Sequence, residues 1–434
     1  MGVMDFERHL SHAARAMHAS AIRKAGDVGL AARDVISLAP GYPDPSLFAW
    51  DEIRDIARSI LSGADPTVLQ YGATRGYKPL IDALPELLDH RGITATPDEI
   101  IITTGSQQAL DLCARVFLDA GDTALVELPA YTGAMTSFWN AQGHLVGVQQ
   151  DAAGIDIADL DRVVLRERGA GRRVAFVYVV PNFQNPSGLL MTLARRAELL
   201  AWASAHDVLI IEDDPYGALY FDDVAKEAET RPLKADDRDG RVVYLSSFSK
   251  TVAPGFRVAW ITAAPALVAR LEIAKQSADL CTSSIDQRFV YEIWRQGVLE
   301  SRLSALRAAY QRKRTVLEDA LRRELGRHVT WPEPKGGFFL WASFGSGIDT
   351  DALLNRAIAH GVVFVPGSAF YVEPHHLNRA RLSFSAPPPA QIEAAAVRLA
   401  AAVREELEVR GRSGQEPPAG LAAPRTASES RSPE

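Results

Sequence analysis

Cysteine is scarce in this chain, which contains only Cys113 and Cys281 among its 434 residues. Neither cysteine belongs to a Cys-x-x-Cys pair or lies at a spacing from histidine that is typical of zinc sites. The sequence therefore predicts no metal site. So few cysteines also fit a reducing compartment, and we expect a cytoplasmic protein.

Long hydrophobic runs and clusters of positive charge are also missing. No window approaches about 18 consecutive apolar residues, the length that a membrane-spanning helix requires. Charges and histidines interrupt the first twenty residues where a secretory signal peptide needs an apolar run. The formal net charge is −7, and lysine and arginine are scattered along the chain. We therefore expect neither export, nor a membrane, nor nucleic acid as a partner.

Short strand-like runs alternate with helical patterns across most of the chain. Runs such as EIIITT, VAFVYVV, VLIIED and VVYLSSF are separated by segments with the periodicity of amphipathic helices. This alternation predicts an α/β fold whose large domain, residues 46–298, has a mixed and mostly parallel sheet. A long amphipathic helix followed by short strands predicts a smaller α+β domain over residues 299–408.

The two ends of the chain are predicted to differ from these domains. Residues 1–45 are expected to contain a helix and a segment near the substrate site, and to pack on the smaller domain. Residues 409–434 are rich in proline, glycine, serine and alanine and have little to bury. Such a composition predicts a disordered tail.

One polar group follows the strand EIIITT, where the chain reads TTGSQQ and a helix begins. In open α/β sheets, ligands bind beyond the carboxyl ends of the strands. The first backbone N–H groups of a helix, together with Ser106 and Gln107, suit a phosphate. An ordinary serine at the start of a helix would explain the same residues.

Two further groups follow the next strands. Asn185 lies in the turn-forming run PNFQNPSG after VAFVYVV, where a purely structural turn is the alternative. Asp213 and Tyr216 lie in DDPY after VLIIE, where the alternative is an acidic surface turn. Because Asp213 closely follows an apolar run, we expect partial burial, and a buried carboxylate requires a cationic partner.

Lys250 ends the segment SSFSK, and Arg257 follows seven residues later. A lysine amine in a desolvated or cationic site can attack a carbonyl and form a Schiff base, although any single lysine is by default a surface residue. Taken together, these groups meet the requirements of pyridoxal 5′-phosphate (PLP), which needs a lysine for its aldehyde, a carboxylate for its ring nitrogen and N–H, hydroxyl and arginine donors for its phosphate.

The same motifs resemble the fold-type-I PLP-dependent aminotransferases of class I/II, in the branch with 2-aminoadipate, kynurenine and lysine aminotransferases. The resemblance extends from SAIR at Ser20 to RLSFS at Ser385. It implies that Lys250 is the catalytic lysine and forms the Schiff base with PLP. It also implies a set of cofactor-binding residues, namely Ser106, Gln107, Tyr131, Asn185, Asp213, Tyr216, Ser247, Ser249, Lys250 and Arg257.

The resemblance also implies a substrate site and an assembly. Arg381 in RARLSFS corresponds to the arginine that binds the substrate α-carboxylate, a task that suits its planar fork. Tyr71 corresponds to a tyrosine that the neighbouring subunit contributes, so a homodimer is implied. Three further positions are placed near the substrate by the resemblance, namely Arg23, Gly41 and Asn185.

The chain departs from the family pattern at the run Pro40-Gly41-Tyr42-Pro43 and at Ile81, where an arginine is common. The expected activity is transfer of an amino group from an L-amino acid to a 2-oxo acid, with 2-oxoglutarate as the expected acceptor. The altered run leaves open a non-transaminating PLP reaction in biosynthesis, such as replacement or elimination at Cβ or Cγ, or carbon–carbon bond formation. A remote alternative is a transcription regulator, in which a DNA-binding domain is fused to this same fold. Only about forty residues precede the fold here, which is fewer than a small domain contains.

Overall fold

The computed structural model describes residues 6–15, 17, 34–345, 347–373 and 377–413. Its α-helices are α1 His12–Arg15, α2 Trp50–Ser62, α3 Lys78–Asp89, α4 Ser106–Phe117, α5 Thr132–Asn140, α6 Ile157–Gly169, α7 Leu193–His206, α8 Pro265–Ala278, α9 Ser284–Arg295, α10 Val298–Leu325, α11 Thr350–Ala359 and α12 Pro389–Ser413. Its β-strands are β1 Ile36–Ser37, β2 Ile100–Thr104, β3 Thr123–Glu127, β4 His144–Val148, β5 Gln150–Asp151, β6 Gly154–Ile155, β7 Val174–Val179, β8 Leu209–Asp213, β9 Val242–Ser247, β10 Val258–Thr262, β11 Val329–Thr330, β12 Phe339–Phe344, β13 Val362–Val363, β14 Val365–Pro366 and β15 Arg379–Ser383.

A seven-stranded sheet forms the larger layer, in the order β2-β10-β9-β8-β7-β3-β4. Strand β10 runs antiparallel to both of its neighbours, and the other pairs are parallel. Helices α4, α5 and α8 pack on one face and α6 and α7 on the other. Every residue of β7 is buried, as expected for a strand covered on both faces. These observations confirm the predicted α/β fold with a mixed, mostly parallel sheet.

A second, antiparallel sheet has the order β11-β12-β15-β14. Its apolar side packs with α10, α11 and α12 in a continuous core. The short strand β1 pairs in parallel with β13, which joins residues 36–37 to this part of the molecule. Across β12 and β15, Trp341 is paired with Arg381, so the sheet determines where that arginine lies.

The chain is helical beyond the predicted end of the smaller domain. Helix α12 continues to Ser413, so residues 409–413 belong to a helix and not to the tail predicted from residue 409. The alanine-rich run AAAVRLAAAVREELEVR favours helix strongly enough to extend past the last buried positions. Residues 414–434 lie outside the described residues. None of the described helices combines the length and the apolar character needed to cross a membrane.

Candidate active site

A cavity of about 550 Å³ opens at the carboxyl ends of β8 and β9, beside the second sheet. Its wall contains every predicted site residue except Arg23 and Tyr71. The sheet explains this convergence, because parallel strands end at the same edge and the residues that follow them become neighbours. The lining residues are Gly41, Tyr42, Ser106, Gln107, Tyr131, Thr132, Gly133, Thr136, Val180, Asn185, Asp213, Pro215, Tyr216, Ser247, Ser249, Lys250, Pro254, Arg257, Phe339 and Arg381.

Lys250 lies three residues beyond the end of β9, with its amine in the cavity. The amine donates a hydrogen bond to the carbonyl oxygen of Gly41 at 2.9 Å. Burial, followed by the positive charges of Arg381 and Arg257, lowers the pKa of the Lys250 amine to about 8. About a tenth of the amine is therefore unprotonated at pH 7, far more than at the ordinary pKa of a lysine, and the unprotonated amine is the form that acts as a nucleophile or a proton acceptor.

Asp213 is the last residue of β8 and is buried. Its Oδ2 accepts a hydrogen bond from the Tyr178 hydroxyl at 2.8 Å, whereas its Oδ1 has no partner among the described residues. Burial raises the pKa of Asp213 to about 7, and the hydrogen bond from Tyr178 opposes this rise. A buried carboxylate oxygen without a partner suits a ligand group that carries a proton on nitrogen.

Ser247 and Ser249 form a hydroxyl pair at the start of the Lys250 loop, with 2.7 Å between their Oγ atoms. Arg257 approaches the backbone of Gly105 closely, because a Cβ at Gly105 would stand 2.0 Å from the Arg257 Nη2. Gly105 immediately precedes α4, so the guanidinium, the hydroxyls and the amino end of that helix face one part of the cavity. Such a set of donors suits a phosphate.

The Gln107 side chain makes its hydrogen bonds to α5 and not to the donors that suit a phosphate. Its amide nitrogen donates to the carbonyl oxygen of Gly133 at 3.0 Å and to the Ser137 Oγ at 2.8 Å. The side chain therefore ties the start of α4 to α5, next to the turn that carries Tyr131. Tyr131 lines the cavity and packs so closely on Gly133 that a Cβ there would lie 2.5 Å from its ring.

Arg381, on β15, is only 1% exposed and supplies a buried positive charge to the cavity. Its Nη1 donates to the Asn185 Oδ1 at 2.8 Å and its Nη2 to the carbonyl oxygen of Ala39, while its Nε has no partner in the described ranges. The Phe339 ring lies 4.3 Å from the guanidinium carbon. Burial lowers the pKa of Arg381 to about 10, so the group is charged at neutral pH and suits a carboxylate ligand.

Tyr216 is buried, and its ring packs edge-on against Phe338 and Phe339. Burial raises the pKa of its hydroxyl, which therefore keeps its proton and can donate a hydrogen bond. Phe339 also contacts Gly41 so closely that a Cβ there would stand 2.5 Å from the ring. The Tyr216 and Phe339 rings thus form part of the cavity wall, and the absence of a side chain at Gly41 lets the backbone pass close to the Phe339 ring.

Two predicted residues and one noted departure lie elsewhere. Tyr71 is 78% exposed and does not line the cavity. Arg23 lies outside the described residues. Ile81, where relatives often have arginine, is buried in α3 among apolar side chains. Ile81 is thus a core residue in this chain.

Sequence reasoning missed several groups that form the site. Tyr178, which donates a hydrogen bond to Asp213, lies inside the apolar run VAFVYVV, and that run predicts only a strand. Phe339 follows two glycines in PKGGFFLWASF, a run with no polar signal. The resemblance placed Gly41 near the substrate, but the carbonyl oxygens that Ala39 and Gly41 contribute are revealed by no side-chain pattern. For these groups, the one signal in the sequence is the hydroxyl of Tyr178, because a polar group in a buried strand needs a hydrogen-bond partner.

Comparison with known families decides what kind of protein has this cavity. Residues 33–399 match the family model for class I and II aminotransferases. The chain belongs to this aminotransferase family. The cavity with Lys250, Asp213 and Arg381 therefore lies within a member of an aminotransferase family.

This aminotransferase is 39% identical over 406 residues to aromatic-amino-acid aminotransferase 1 of Thermococcus litoralis, covering 93% of this chain and 96% of that protein. The structure of Pyrococcus horikoshii kynurenine aminotransferase in complex with PMP matches with a TM-score of 0.87 at 39% identity, over 93% of this chain and 98% of that chain. The α-aminoadipate aminotransferase of Thermus thermophilus, complexed with N-(5′-phosphopyridoxyl)-L-leucine, matches with a TM-score of 0.85 at 34% identity, over 94% and 100%. These findings confirm the predicted fold type I and PLP as the cofactor.

The residues of the cavity fit PLP. The Lys250 amine, with its lowered pKa, suits the aldehyde, and the Asp213 Oδ1 without a partner suits the protonated ring nitrogen. The hydroxyl pair and Arg257 suit the phosphate. Among the described residues, no group of three or more His, Cys, Asp and Glu side chains is placed to hold a metal ion.

Proposed function

We propose that this aminotransferase transfers an amino group from an L-amino acid to 2-oxoglutarate, with Lys250 as the residue that holds PLP and moves the proton. The observation that carries this proposal is one cavity that brings together a lysine amine of lowered pKa, a buried carboxylate and a buried arginine. When bound, PLP supplies an aldehyde that reacts with amines and a ring that accepts electrons from the substrate Cα. The protein must then bind, orient and move protons.

Lys250 is suited to the proton transfer. A general acid and base works best when its pKa lies near the operating pH, and the pKa of the Lys250 amine is lowered to about 8. Its Nζ lies 5.8 Å from the Tyr216 ring centre and 5.7 Å from that of Phe338, so the amine lies beside aromatic surface. The amine can therefore remove a proton from the substrate Cα and return one.

Asp213 is assigned the ring nitrogen. A carboxylate there stabilises a proton on that nitrogen, and this proton increases the electron demand of the ring. In the protein alone, burial raises the pKa of Asp213 to about 7. A cationic partner opposes that effect, so binding of the protonated ring favours the ionised carboxylate.

Arg381 is assigned the α-carboxylate of the substrate, with Asn185 beside it. The guanidinium donates to Asn185 and to the Ala39 carbonyl, and its Nε has no partner within the described residues. A carboxylate that enters the cavity would meet a buried charge already fixed in direction, which reduces the ordering cost of binding. Because Gly41 has no side chain, the backbone at this position can lie close to the Phe339 ring.

We infer that the preferred donors have aromatic or long side chains. Tyr42 and Phe339 line the cavity with aromatic surface, and the Phe339 ring contacts the Arg381 guanidinium. Relatives of this chain are named for aromatic amino acids, kynurenine and α-aminoadipate. Arg23 remains a predicted substrate contact.

We also propose a cytoplasmic homodimer in which Tyr71 reaches the site of the partner subunit. The support is the exposure of Leu69 and Tyr71, which are 80% and 78% accessible within one chain. Large apolar side chains this exposed and close together favour a protein partner. We retain the proposed division into a large domain, residues 46–298, and a smaller domain that begins at residue 299.

The test is an amino-donor screen of the purified holoenzyme with 2-oxoglutarate, in which mass spectrometry follows glutamate, the new 2-oxo acid and the cofactor. We expect glutamate and one 2-oxo acid in equal amounts, with aromatic donors and 2-aminoadipate fastest. Release of a product that has lost its α-carboxylate or its Cβ substituent, without glutamate, would instead show a different PLP reaction and overturn the proposal.

A further inference from the structure

A second buried lysine lies behind the phosphate side of the cavity. Lys275, in the last turn of α8, is 0% exposed. Its amine donates to the Gln108 Oε1 at 2.8 Å, to both carboxylate oxygens of Asp279 at 2.7 and 2.8 Å, and to the Thr282 Oγ1 at 3.0 Å. Since a lysine amine has three protons, these acceptors saturate it.

The acceptors of Lys275 hold both ends of the loop that begins α4. The Gln108 Oε1 also accepts from the backbone N–H of Thr104 at 2.7 Å. The Thr104 hydroxyl donates to the Asp279 Oδ2 at 2.7 Å and lies 3.1 Å from the Thr282 Oγ1. Thr104 and Gln108 enclose Gly105, Ser106 and Gln107, so one amine fixes the two ends of that three-residue stretch.

The same network reaches the arginine side of the proposed phosphate site. Thr104 pairs with Val258 across β2 and β10, and Val258 directly follows Arg257. Arg257 in turn packs its guanidinium on Gly105. Any displacement of Thr104 would therefore move both the start of α4 and the backbone that carries Arg257.

We propose that Lys275 is a positioning residue for the cofactor phosphate, acting through Gln108, Thr104 and Asp279 without touching PLP. This inference rests on the proposed phosphate site at Ser106 and Arg257. Besides fixing the loop, the amine neutralises Asp279. Without it, the partly buried carboxylate of Asp279 would lose its cationic partner.

The test compares PLP binding with folding in full-length protein. Lys275→Met removes the charge and keeps most of the side-chain volume. Gln108→Leu removes the amide that links Lys275 to Thr104 but keeps Lys275 and its partner Asp279. For each variant, PLP is titrated into the apoprotein and its dissociation constant is read from absorbance, while the thermal midpoint is measured without PLP. We expect the dissociation constant to rise at least about tenfold in both variants, equivalent to about 1.4 kcal/mol.

Lys234→Met is the matched control, because Lys234 is also buried and pairs with a buried carboxylate, Asp237 at 2.9 Å, but does not line the cavity. We expect a lower thermal midpoint and unchanged PLP affinity. Equal weakening in this control, or normal affinity in Lys275→Met, would overturn the inference. If Lys275→Met does not fold, normal PLP affinity in Gln108→Leu would overturn the inference.

The Arg257→Ala variant distinguishes a failure of this inference from a failure of the proposed phosphate site. Weak PLP binding in Arg257→Ala, with normal binding in the Lys275 and Gln108 variants, would contradict only the positioning role. Normal binding in Arg257→Ala would show that the phosphate site itself is placed wrongly, and the inference would fail with it.

Discussion

Lys250 and Lys275 have opposite surroundings. The Lys275 amine contacts acceptors on Gln108, Asp279 and Thr282, whereas the Lys250 amine makes one hydrogen bond within the described residues, to a backbone carbonyl. The carboxylates near the two lysines differ in the same way. The Asp213 Oδ1 has no protein partner among the described residues, whereas both oxygens of Asp279 accept hydrogen bonds. Buried polar groups usually find partners, so the Asp213 Oδ1 and the Arg381 Nε, which line the cavity without one, are atoms that a ligand can satisfy.

The pKa shifts follow from the same difference. In the cavity, burial dominates, and it lowers the pKa of Lys250 to about 8 and raises that of Asp213 to about 7. At Asp279, burial also opposes ionisation, but hydrogen bonds from Lys275 and Thr104 outweigh it and hold the pKa below its ordinary value. Substitutions in the cavity should therefore reduce activity more than stability, and substitutions in the network should affect folding and cofactor affinity.

The largest effect is expected for Lys250→Ala. Loss of a positioned acid and base typically costs about 10² to 10⁴ in rate, and Lys250 is also the proposed point of PLP attachment, so kcat should fall by at least about 10³. The thermal midpoint of the apoprotein should not fall. Steady-state kinetics and calorimetry measure the two quantities, with the exposed Lys78→Ala as the control. Near-normal kcat would remove Lys250 from the mechanism.

Asp213→Asn should rank second, with kcat reduced about 100-fold. A hydrogen bond to a charged group is worth about 1.5 to 3 kcal/mol, and a neutral amide cannot stabilise the proton on the ring nitrogen as a carboxylate does. Asp207→Asn, at an exposed position between the end of α7 and the same strand, is the control and should retain full activity. Equal activity of the two variants would show that Asp213 does not act on the ring.

Arg381→Lys should mainly raise KM for the amino donor, by about 10- to 100-fold. A lysine cannot present the planar fork that binds a carboxylate with two hydrogen bonds. Initial rates over a range of donor concentrations separate KM from kcat. Arg379→Lys, two residues earlier on β15 and outside the cavity lining, should leave KM unchanged. An unchanged KM in Arg381→Lys would place the substrate carboxylate elsewhere.

The pH dependence of apoprotein stability should also report Asp213. Its pKa is raised from 3.8 to about 7 on folding, so the folded state binds more protons than the unfolded state between these values. Its contribution is thus fully present below about pH 4 and is lost as the pH rises through about 7. The free-energy difference between wild type and Asp213→Asn should change by more than about 1 kcal/mol over that range. Urea unfolding measures it, and a constant difference would contradict the raised pKa.

The smallest effect is expected for Tyr71→Phe, which should raise KM or the PLP dissociation constant about fivefold, the cost of one hydrogen bond. Its thermal midpoint should be unchanged, because the side chain is exposed within one chain. Mixed dimers of Tyr71→Ala and Lys250→Ala protein should regain activity if each site uses both subunits. No regained activity in verified mixed dimers would refute the shared site.

The sequence predicted the parts of the site that follow strands. Asp213 and Lys250 could be predicted because an apolar run ends just before each polar group, and parallel strands bring such ends together. Arg381 required the family motif, since a charged residue in a short strand reads as solvated. The structure instead buries it between Phe339 and Phe370.

Other parts could not be predicted, for physical reasons. Lys275 is separated by 167 residues from Gln108, and no local pattern announces a contact that only the packing of α8 on α4 creates. The carbonyl oxygens of Ala39 and Gly41 act through backbone direction, which any residue type provides. The tail was predicted to begin at residue 409, but α12 continues to Ser413. The last turns of this helix have few apolar residues to indicate a helix, although alanine and glutamate favour one.

The central claim is that Lys250, and no other lysine, holds the cofactor. The most direct measurement is borohydride reduction of the holoenzyme, which makes the lysine–cofactor link permanent, followed by proteolysis and mass spectrometry. The account predicts the added mass on the peptide that contains SSFSK, at Lys250, and on no peptide with Lys275. Cofactor mass on Lys275 or on any other lysine, or on none in a PLP-loaded and active enzyme, would contradict it.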